Sequence, residues 1–176
     1  MTDSPVPFAP TPIAACLPLT PAREQALRAA VIAEAMKWQG ASYVQQGNVR
    51  YSAIDCAMLL VRCWVDSGIF QPFDPRPYPP NWHLHQSQER YLDWMQTLAR
   101  EVEVPRPGDV VIWRFGRCFS HGGIIVNERL HVMHALAEHR KCTRTDLDEG
   151  FLRYDRGKSR PRKFFDVFAP LREIAA

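Results

Sequence analysis

An aspartate and a cysteine stand side by side where an apolar, helically spaced run begins, in the segment YSAIDCAMLLVRCW. A thiol at a helix N-terminus lies beside unpaired backbone N–H groups and the positive end of the helix dipole, both of which favour the thiolate. Cys56 is therefore a candidate nucleophile. The alternative is that Cys56 only fills the core, because a buried cysteine usually behaves as a small apolar residue.

Two histidines in later strand-like segments could act on such a thiol. His121 lies in SHGGIIV and His134 in LHVMHA, on either side of a turn at Asn127 and Glu128. If these two turn residues form a two-residue hairpin loop, His121 falls directly opposite His134, with the Cβ atoms ~5 Å apart. His131 then faces the other way. A three-residue loop without a bulge would instead move His134 to the opposite face of the sheet.

Together these side chains would supply the parts of a cysteine hydrolase. In this hypothesis Cys56 is the nucleophile, and His121 takes its proton as general base. His134 then fixes the tautomer and orientation of the first imidazole. The backbone N–H of Cys56, with a side-chain donor such as Tyr43, would stabilise an oxyanion. The chemistry is acyl transfer through a thioester, most simply the hydrolysis of an amide.

The elements that must position these groups are helices first and strands afterwards. Thr20 and Pro21 predict the start of a helix that ends near Gly40. A second helix runs from Cys56 to a stop at Gly68, and a third covers approximately residues 85–100. The polar stretch 43–51 is predicted to be a loop, and the proline-rich stretch 71–80 an irregular connection.

Strands are predicted for the second half of the chain. A turn at Pro107-Gly108-Asp109 leads into a β-branched and aromatic run, the two histidine segments follow, and residues 164–168 form a last strand. Helices followed by antiparallel strands define an α+β domain. We expect a proline-rich arm over residues 1–19 and a single domain over residues 20–176.

The composition is ordinary for a globular protein. The chain has 176 residues, 46% hydrophobic and 23% charged, which suits one domain with its own core. No apolar run approaches the roughly 18 residues of a membrane span. The segment MTDSPVPFAPTP holds no basic residue and several prolines, so no signal peptide is predicted. We expect synthesis in the cytoplasm.

Cofactors and nucleic acid are not expected. The five cysteines include no CxxC pair, which argues against a disulfide framework or a zinc ribbon. His83 and His85 have the spacing of a metal pair but lack a further ligand nearby, so no metal site is predicted. The net charge is +3, and the basic residues of segment 153–163 are not interleaved with aromatic platforms for bases.

The order of the motifs resembles the NlpC/P60 family of papain-like cysteine peptidases. The likeness covers roughly residues 22–170 and rests on Tyr43 in GASYVQQG, Asp55-Cys56, Pro107-Gly108-Asp109, His121-Gly122-Gly123-Ile124 and His134-Ala135. No single motif is specific, but their order and spacing together are. The resemblance implies a papain-like fold, with N-terminal helices packed on a central antiparallel sheet and the catalytic cysteine at a helix N-terminus.

The resemblance also implies roles and a substrate. Cys56, His121 and His134 correspond to nucleophile, base and orienting residue. By the same analogy Tyr43 lies at the oxyanion and substrate side, and Asp55 contacts the amine of the substrate. The implied substrate is the peptide stem of peptidoglycan, typically cut between D-glutamate and the diamino acid. The proline-rich insert and the helix after it resemble the subset encoded with phage and prophage tails, which implies phage tail proteins as partners and action at the cell wall or in a tail.

Two departures and two alternatives accompany this interpretation. After the cysteine the family usually has a small residue and then glycine, whereas this chain has Ala57-Met58, so the cleft could be reshaped. The approach to the cysteine, NVRYSAID, also lacks the usual glycines. One alternative is an amidase or acyltransferase that acts on another amide with the same residues. The other is a non-enzymatic tail component that retains the fold.

Overall fold

The computed structural model describes residues 10–13, 17–79, 88–154 and 158–174. Most of the expected proline-rich arm lies outside these ranges. His83, His85 and the predicted start of the third helix do so as well.

The described helices alternate with short strands in the first half of the chain and give way to longer strands in the second. The helices are α1 (Pro21–Met36), α2 (Cys56–Asp66), α3 (Arg90–Leu98) and α4 (Ala169–Ile174). The strands are β1 (Ser42–Tyr43), β2 (Asn48–Val49), β3 (Ala53–Ile54), β4 (Arg100–Val102), β5 (Val110–Phe115), β6 (Cys118–Ile125), β7 (Val132–Leu136), β8 (Lys141–Thr145) and β9 (Arg162–Asp166).

The helix boundaries follow the capping residues that the sequence indicates. The Thr20 hydroxyl accepts a hydrogen bond from the N–H of Arg23 and so caps α1. Gly40 and Gly68 follow α1 and α2 with φ angles of +88° and +80°, which glycine adopts without steric cost. These predictions are confirmed. The described part of the third helix is shorter than predicted and begins at Arg90.

The described strands form one sheet in the order β2-β3-β1-β8-β7-β6-β5-β9-β4, antiparallel except for the parallel pair β1 and β3. The α+β prediction is confirmed. The prediction of a loop over residues 43–51 is wrong in part, because β2 and the end of β1 lie there. Strand β8 occupies Lys141–Thr145, for which no strand was predicted. Pairing with neighbouring strands, rather than an apolar pattern, makes these segments extended.

Each face of the central sheet carries its own apolar cluster. Ile112, Ile124 and Met133 belong to the larger cluster, to which α2 and α3 contribute. The smaller cluster lies on the other side and includes Val132 and Leu152. This alternation along the strands is what places the two candidate histidines on a common side.

The hairpin between β6 and β7 has a longer loop than predicted. Gly123 pairs with His134, and the N–H of Val126 donates to the carbonyl of His131, so residues 127–130 form a four-residue loop. His121 is therefore not directly opposite His134 but two residues further along. Because the error is an even number of residues, both histidines keep the same face.

The side chain of Asn127 stabilises this longer loop. Its Oδ1 accepts hydrogen bonds from the N–H groups of Arg129 and His131, and its Nδ2 lies 2.9 Å from Nδ1 of the His131 ring. Such bonds from an asparagine to the following backbone replace ladder hydrogen bonds. Leu130 completes the turn with a φ angle of +59°.

A buried arginine joins the first helix to the sheet. The guanidinium of Arg28 donates to Glu24 at 2.9 Å, to Asp109 at 2.7 Å and to Asp166 at 2.9 Å, and it also donates to the carbonyl of Pro107. The turn that opens β5 is thus held against α1 and against the end of β9. The sequence predicted the turn at Pro107-Gly108-Asp109 but did not indicate that Arg28 binds it.

Replacing Arg28 with methionine should lower the free energy of unfolding by about 3–5 kcal/mol, because the buried Asp109 carboxylate loses the cation it binds, whereas Glu24 and Asp166 keep Arg106 and Arg172. Urea denaturation of both proteins measures the change. Arg100→Met is the matched control, since Arg100 pairs with Glu173 at the surface and should cost no more than about 1 kcal/mol. Equal losses in the two variants would contradict a structural role for the buried arginine.

Candidate active site

Cys56 is the first residue of α2 and meets the edge of strand β6. Its Sγ lies 3.9 Å from the carbonyl oxygen of Ser120, and the N–H of Gly122 also points to the sulfur. These two residues flank His121. The pairing of β6 with β7 ends at Gly123, so the thiol contacts the part of β6 beyond that pairing. The structure therefore brings the predicted nucleophile to the strand that carries the predicted base.

The two predicted histidines are in direct contact and continue to a threonine. Nε2 of His121 lies 2.9 Å from Nδ1 of His134, and Nε2 of His134 lies 2.8 Å from Oγ1 of Thr145. His134 is fully buried. Trp113 stacks on the His121 ring with centroids 5.5 Å apart, which restrains the ring that would act as base. The row of polar groups crosses strands β6, β7 and β8.

The direction of the hydrogen bonds in this row depends on the tautomer of each imidazole. Burial, followed by the nearby His139, lowers the pKa of His134 to about 3, so this imidazole is neutral at physiological pH. A neutral ring has one N–H and one acceptor nitrogen. If the His134 N–H at Nε2 donates to Thr145, its Nδ1 accepts from the Nε2–H of His121. In this tautomer the acceptor nitrogen of a neutral His121 ring is Nδ1.

The thiol itself is not acidified as the sequence suggested. Burial and the neighbouring Asp55 carboxylate raise the pKa of Cys56 to about 12, although the N–H groups of Gly122 and Ala57 oppose this. Desolvation and the negative charge of Asp55 therefore outweigh the N–H groups of the helix N-terminus, which favour the thiolate. Cys56 is held as a thiol that needs a base when it reacts.

The Asp55 side chain caps α2 and joins the surrounding loops. One carboxylate oxygen accepts from the N–H of Met58, and the other accepts from the N–H of Gln46 at 2.7 Å and the hydroxyl of Tyr78 at 2.6 Å. The residue is only 1% exposed. Contact between Asp55 and a substrate amine stays a prediction, and the structure shows both oxygens already bound to protein groups.

Tyr43 lies near Cys56 and Asp55. Burial raises the pKa of its phenol, and the nearby Cys56 and Asp55 raise it further. Its hydroxyl donates to the side-chain oxygen of Gln45 at 3.1 Å. A role for Tyr43 at the oxyanion stays a prediction.

Sequence reasoning missed the contribution of the proline-rich segment. Tyr78 supplies the hydroxyl bound to Asp55, and its carbonyl accepts from the Gln46 side chain. Arg76 donates to the Gln46 carbonyl. The segment is irregular, as predicted, but these bonds tie it to the loop before α2. A tyrosine inside a proline-rich run was the only signal in the sequence.

Other singled-out residues lie away from the reacting groups. Met58 is buried in the apolar core, so its bulk fills space behind the site. His131 contacts Asn127 and pairs with Asp146 at 2.9 Å, separate from the His121–His134 pair as predicted.

In the described ranges, no three histidine, cysteine or acidic side chains come together as a group that could hold a metal ion. The helices within those ranges are too short or too polar to cross a membrane.

Comparison with known proteins gives structural neighbours alone. No protein-family model matches the chain, and no curated protein matches it by sequence. NlpC1 from Trichomonas vaginalis is 14% identical, with a TM-score of 0.55 over 78% of this chain and 42% of that one. An N-acetylmuramoyl-L-alanine amidase from Bacteroides uniformis is 10% identical, with a TM-score of 0.53 over 80% of this chain and 98% of that one. The NlpC/p60 domain of the peptidoglycan hydrolase SagA is 16% identical, with a TM-score of 0.49 over 77% and 96%.

These likenesses concern the fold. The chain has the papain-like α+β architecture of NlpC/P60 domains, with helices packed on a central, mostly antiparallel sheet. It spans about two fifths of the length of NlpC1. The fold prediction made from the sequence is thereby confirmed.

The low pKa of His134 has a consequence for stability. Between pH 6.5 and about 3 the unfolded chain binds a proton at this residue and the folded chain does not. The free energy of unfolding should therefore fall as the pH falls through this window, by up to about 1.4 kcal/mol per pH unit. His134→Asn keeps a hydrogen-bond acceptor but does not titrate, so its stability should depend less on pH. Denaturant unfolding of both proteins from pH 7 to pH 4 measures the difference, and parallel curves would show that His134 titrates normally.

Proposed function

We propose that the chain is a cysteine hydrolase of the NlpC/P60 type that cleaves amide bonds in the peptide stems of peptidoglycan. The observation that carries the proposal is the row His121–His134–Thr145 next to a cysteine at a helix N-terminus. The fold shared with the N-acetylmuramoyl-L-alanine amidase of Bacteroides uniformis adds support. The scissile bond that we propose lies between D-glutamate and the diamino acid.

In this mechanism the thiol is activated only during the reaction. Nδ1 of His121 takes the proton from Cys56 as the sulfur attacks the substrate carbonyl. The imidazolium that forms is stabilised because its Nε2–H already donates to neutral His134. The same proton is then given to the leaving amine, and water hydrolyses the thioester. Tyr43 and the backbone N–H of Cys56 are the proposed oxyanion donors.

Substitutions of the reacting groups test this assignment. Cys56→Ala and His121→Ala should each reduce hydrolysis of purified peptidoglycan to background, because nucleophile or base is lost. His134→Ala should leave a reduced rate, since it removes an orienting group. His131→Ala is the control and should be near neutral. Release of new amino termini measures the rates, with circular dichroism to verify folding. If His131→Ala were more damaging than His134→Ala, the assignment of the orienting histidine would be wrong.

Thr145 offers a finer test of the row. Thr145→Val removes the acceptor for His134 while preserving shape, and it should lower the free energy of unfolding by about 1–3 kcal/mol because a buried N–H is left unpaired. The rate of hydrolysis should fall as well, since His134 is then free to change tautomer. Thr145→Ser keeps the hydroxyl and should retain most of the rate. Equal rates in the valine and serine variants would remove Thr145 from the mechanism.

A second candidate is the amide between muramic acid and L-alanine. The observation in its favour is that the structural neighbour from Bacteroides uniformis is an N-acetylmuramoyl-L-alanine amidase. The two candidates give different products, because the amidase releases whole peptides and the endopeptidase releases truncated ones. Mass spectrometry of digested muropeptides separates them. Absence of both products would favour the non-enzymatic alternative or an acyltransferase.

Association with a phage or prophage tail is the finest part of the proposal. It rests on the resemblance of the proline-rich insert before α3 to the subset encoded with phage and prophage tails. Co-purification with tail particles after prophage induction tests it. Activity without such association would leave the hydrolase proposal intact.

A further inference from the structure

A buried tyrosine hydroxyl lies beside the candidate nucleophile with no evident purpose in the core. Tyr91 belongs to the first turn of α3 and is only 8% exposed. Its ring packs edge-on against Trp94, with centroids 5.6 Å apart. Within the described residues, its hydroxyl makes no hydrogen bond of normal geometry. A buried hydroxyl without a partner costs free energy, so its retention calls for an explanation.

The hydroxyl points to the backbone of β6 at Gly122. A Cβ atom at that position would overlap the Tyr91 hydroxyl and would lie 3.1 Å from its Cζ atom. Any residue larger than glycine would therefore displace the tyrosine. In the His-x-Gly-Ile motif, Gly122 occupies the variable position x. The glycine thus gives the phenol access to the strand next to His121.

The sulfur of Cys56 also lies near the backbone of Gly122. The N–H of Gly122 points to the thiol, and the same residue contacts the Tyr91 hydroxyl. We propose that Tyr91 is a positioning residue that donates a hydrogen bond to the Cys56 sulfur when the sulfur becomes negatively charged. The assignment rests on the proposed role of Cys56 as nucleophile.

The chemistry needs no further reactant. The thiol proton passes to His121, and Tyr91 keeps its own proton while its O–H bond turns toward the thiolate. Burial raises the pKa of the Tyr91 phenol well above its usual range, and the negative charge that Cys56 can carry raises it further. Tyr91 therefore acts as a donor and not as an acid. A hydrogen bond to a charged acceptor is stronger than one to a neutral group, so it favours the thiolate that burial disfavours.

The test measures the reactivity of Cys56 and does not require peptidoglycan. The rate of Cys56 alkylation by iodoacetamide is followed by mass spectrometry from pH 7 to pH 9 in the full chain and in Tyr91→Phe. Loss of the donor should raise the thiol pKa by about one unit. Because a more basic thiolate is also more nucleophilic, the alkylation rate at a given pH should fall about threefold rather than tenfold.

Tyr51→Phe is the matched control. It removes a hydroxyl that donates to Glu34, and it should leave the alkylation of Cys56 unchanged. An unchanged rate in Tyr91→Phe, with the fold preserved by circular dichroism, would overturn the proposal.

A double substitution distinguishes loss of the Tyr91 hydrogen bond from indirect effects of each single substitution. Gly122→Ala should displace the Tyr91 hydroxyl and slow alkylation in the wild-type background. In the Tyr91→Phe background the same substitution should have a smaller effect, because the donor is already absent. Equal effects in both backgrounds would count against a hydrogen bond from Tyr91. If alkylation depends on Tyr91 but no peptidoglycan is cleaved, the positioning role stands and the proposed function fails.

Discussion

The buried carboxylate of Asp55 is the interaction on which the surroundings of Cys56 depend. It caps α2 through Met58, holds the preceding loop through Gln46, and holds the proline-rich segment through Tyr78. A buried anion is tolerated only when several donors satisfy it. Three segments that are distant in sequence are therefore held together around one side chain. The same negative charge raises the pKa of the adjacent thiol, so the anchor of the site also opposes its ionisation.

Because the Asp55 charge opposes ionisation of Cys56, the proposed chemistry depends on the neighbouring strands. A thiol that does not ionise by itself needs a base whose orientation is already determined. The row from His121 through His134 to Thr145 provides this, because each ring nitrogen within it has one defined partner. The row crosses three strands, so its geometry depends on the pairing of the sheet. Burial keeps His134 neutral, so one of its ring nitrogens can accept a hydrogen bond.

Much of the fold could be predicted because its signals are local. Thr20 and Asp55 mark helix starts through their own side chains, and Gly40 and Gly68 mark helix ends through backbone freedom. The loop between β6 and β7 was predicted with two residues instead of four. The loop is longer because Asn127 Oδ1 accepts hydrogen bonds from two following backbone N–H groups. Neither composition nor periodicity indicates these bonds. Because the predicted loop was too short by an even number of residues, the two histidines still lie on the same face of the sheet.

By itself, the sequence determined the α+β class, the position of Cys56 at a helix N-terminus and the candidacy of the two histidines. These follow from capping residues and from periodicity, which act over a few residues. Only the tertiary structure decided that Thr145, Tyr78 and Tyr91 join the site and that the thiol pKa is raised. Those outcomes depend on contacts between distant segments and on desolvation, which exist only once the chain has folded.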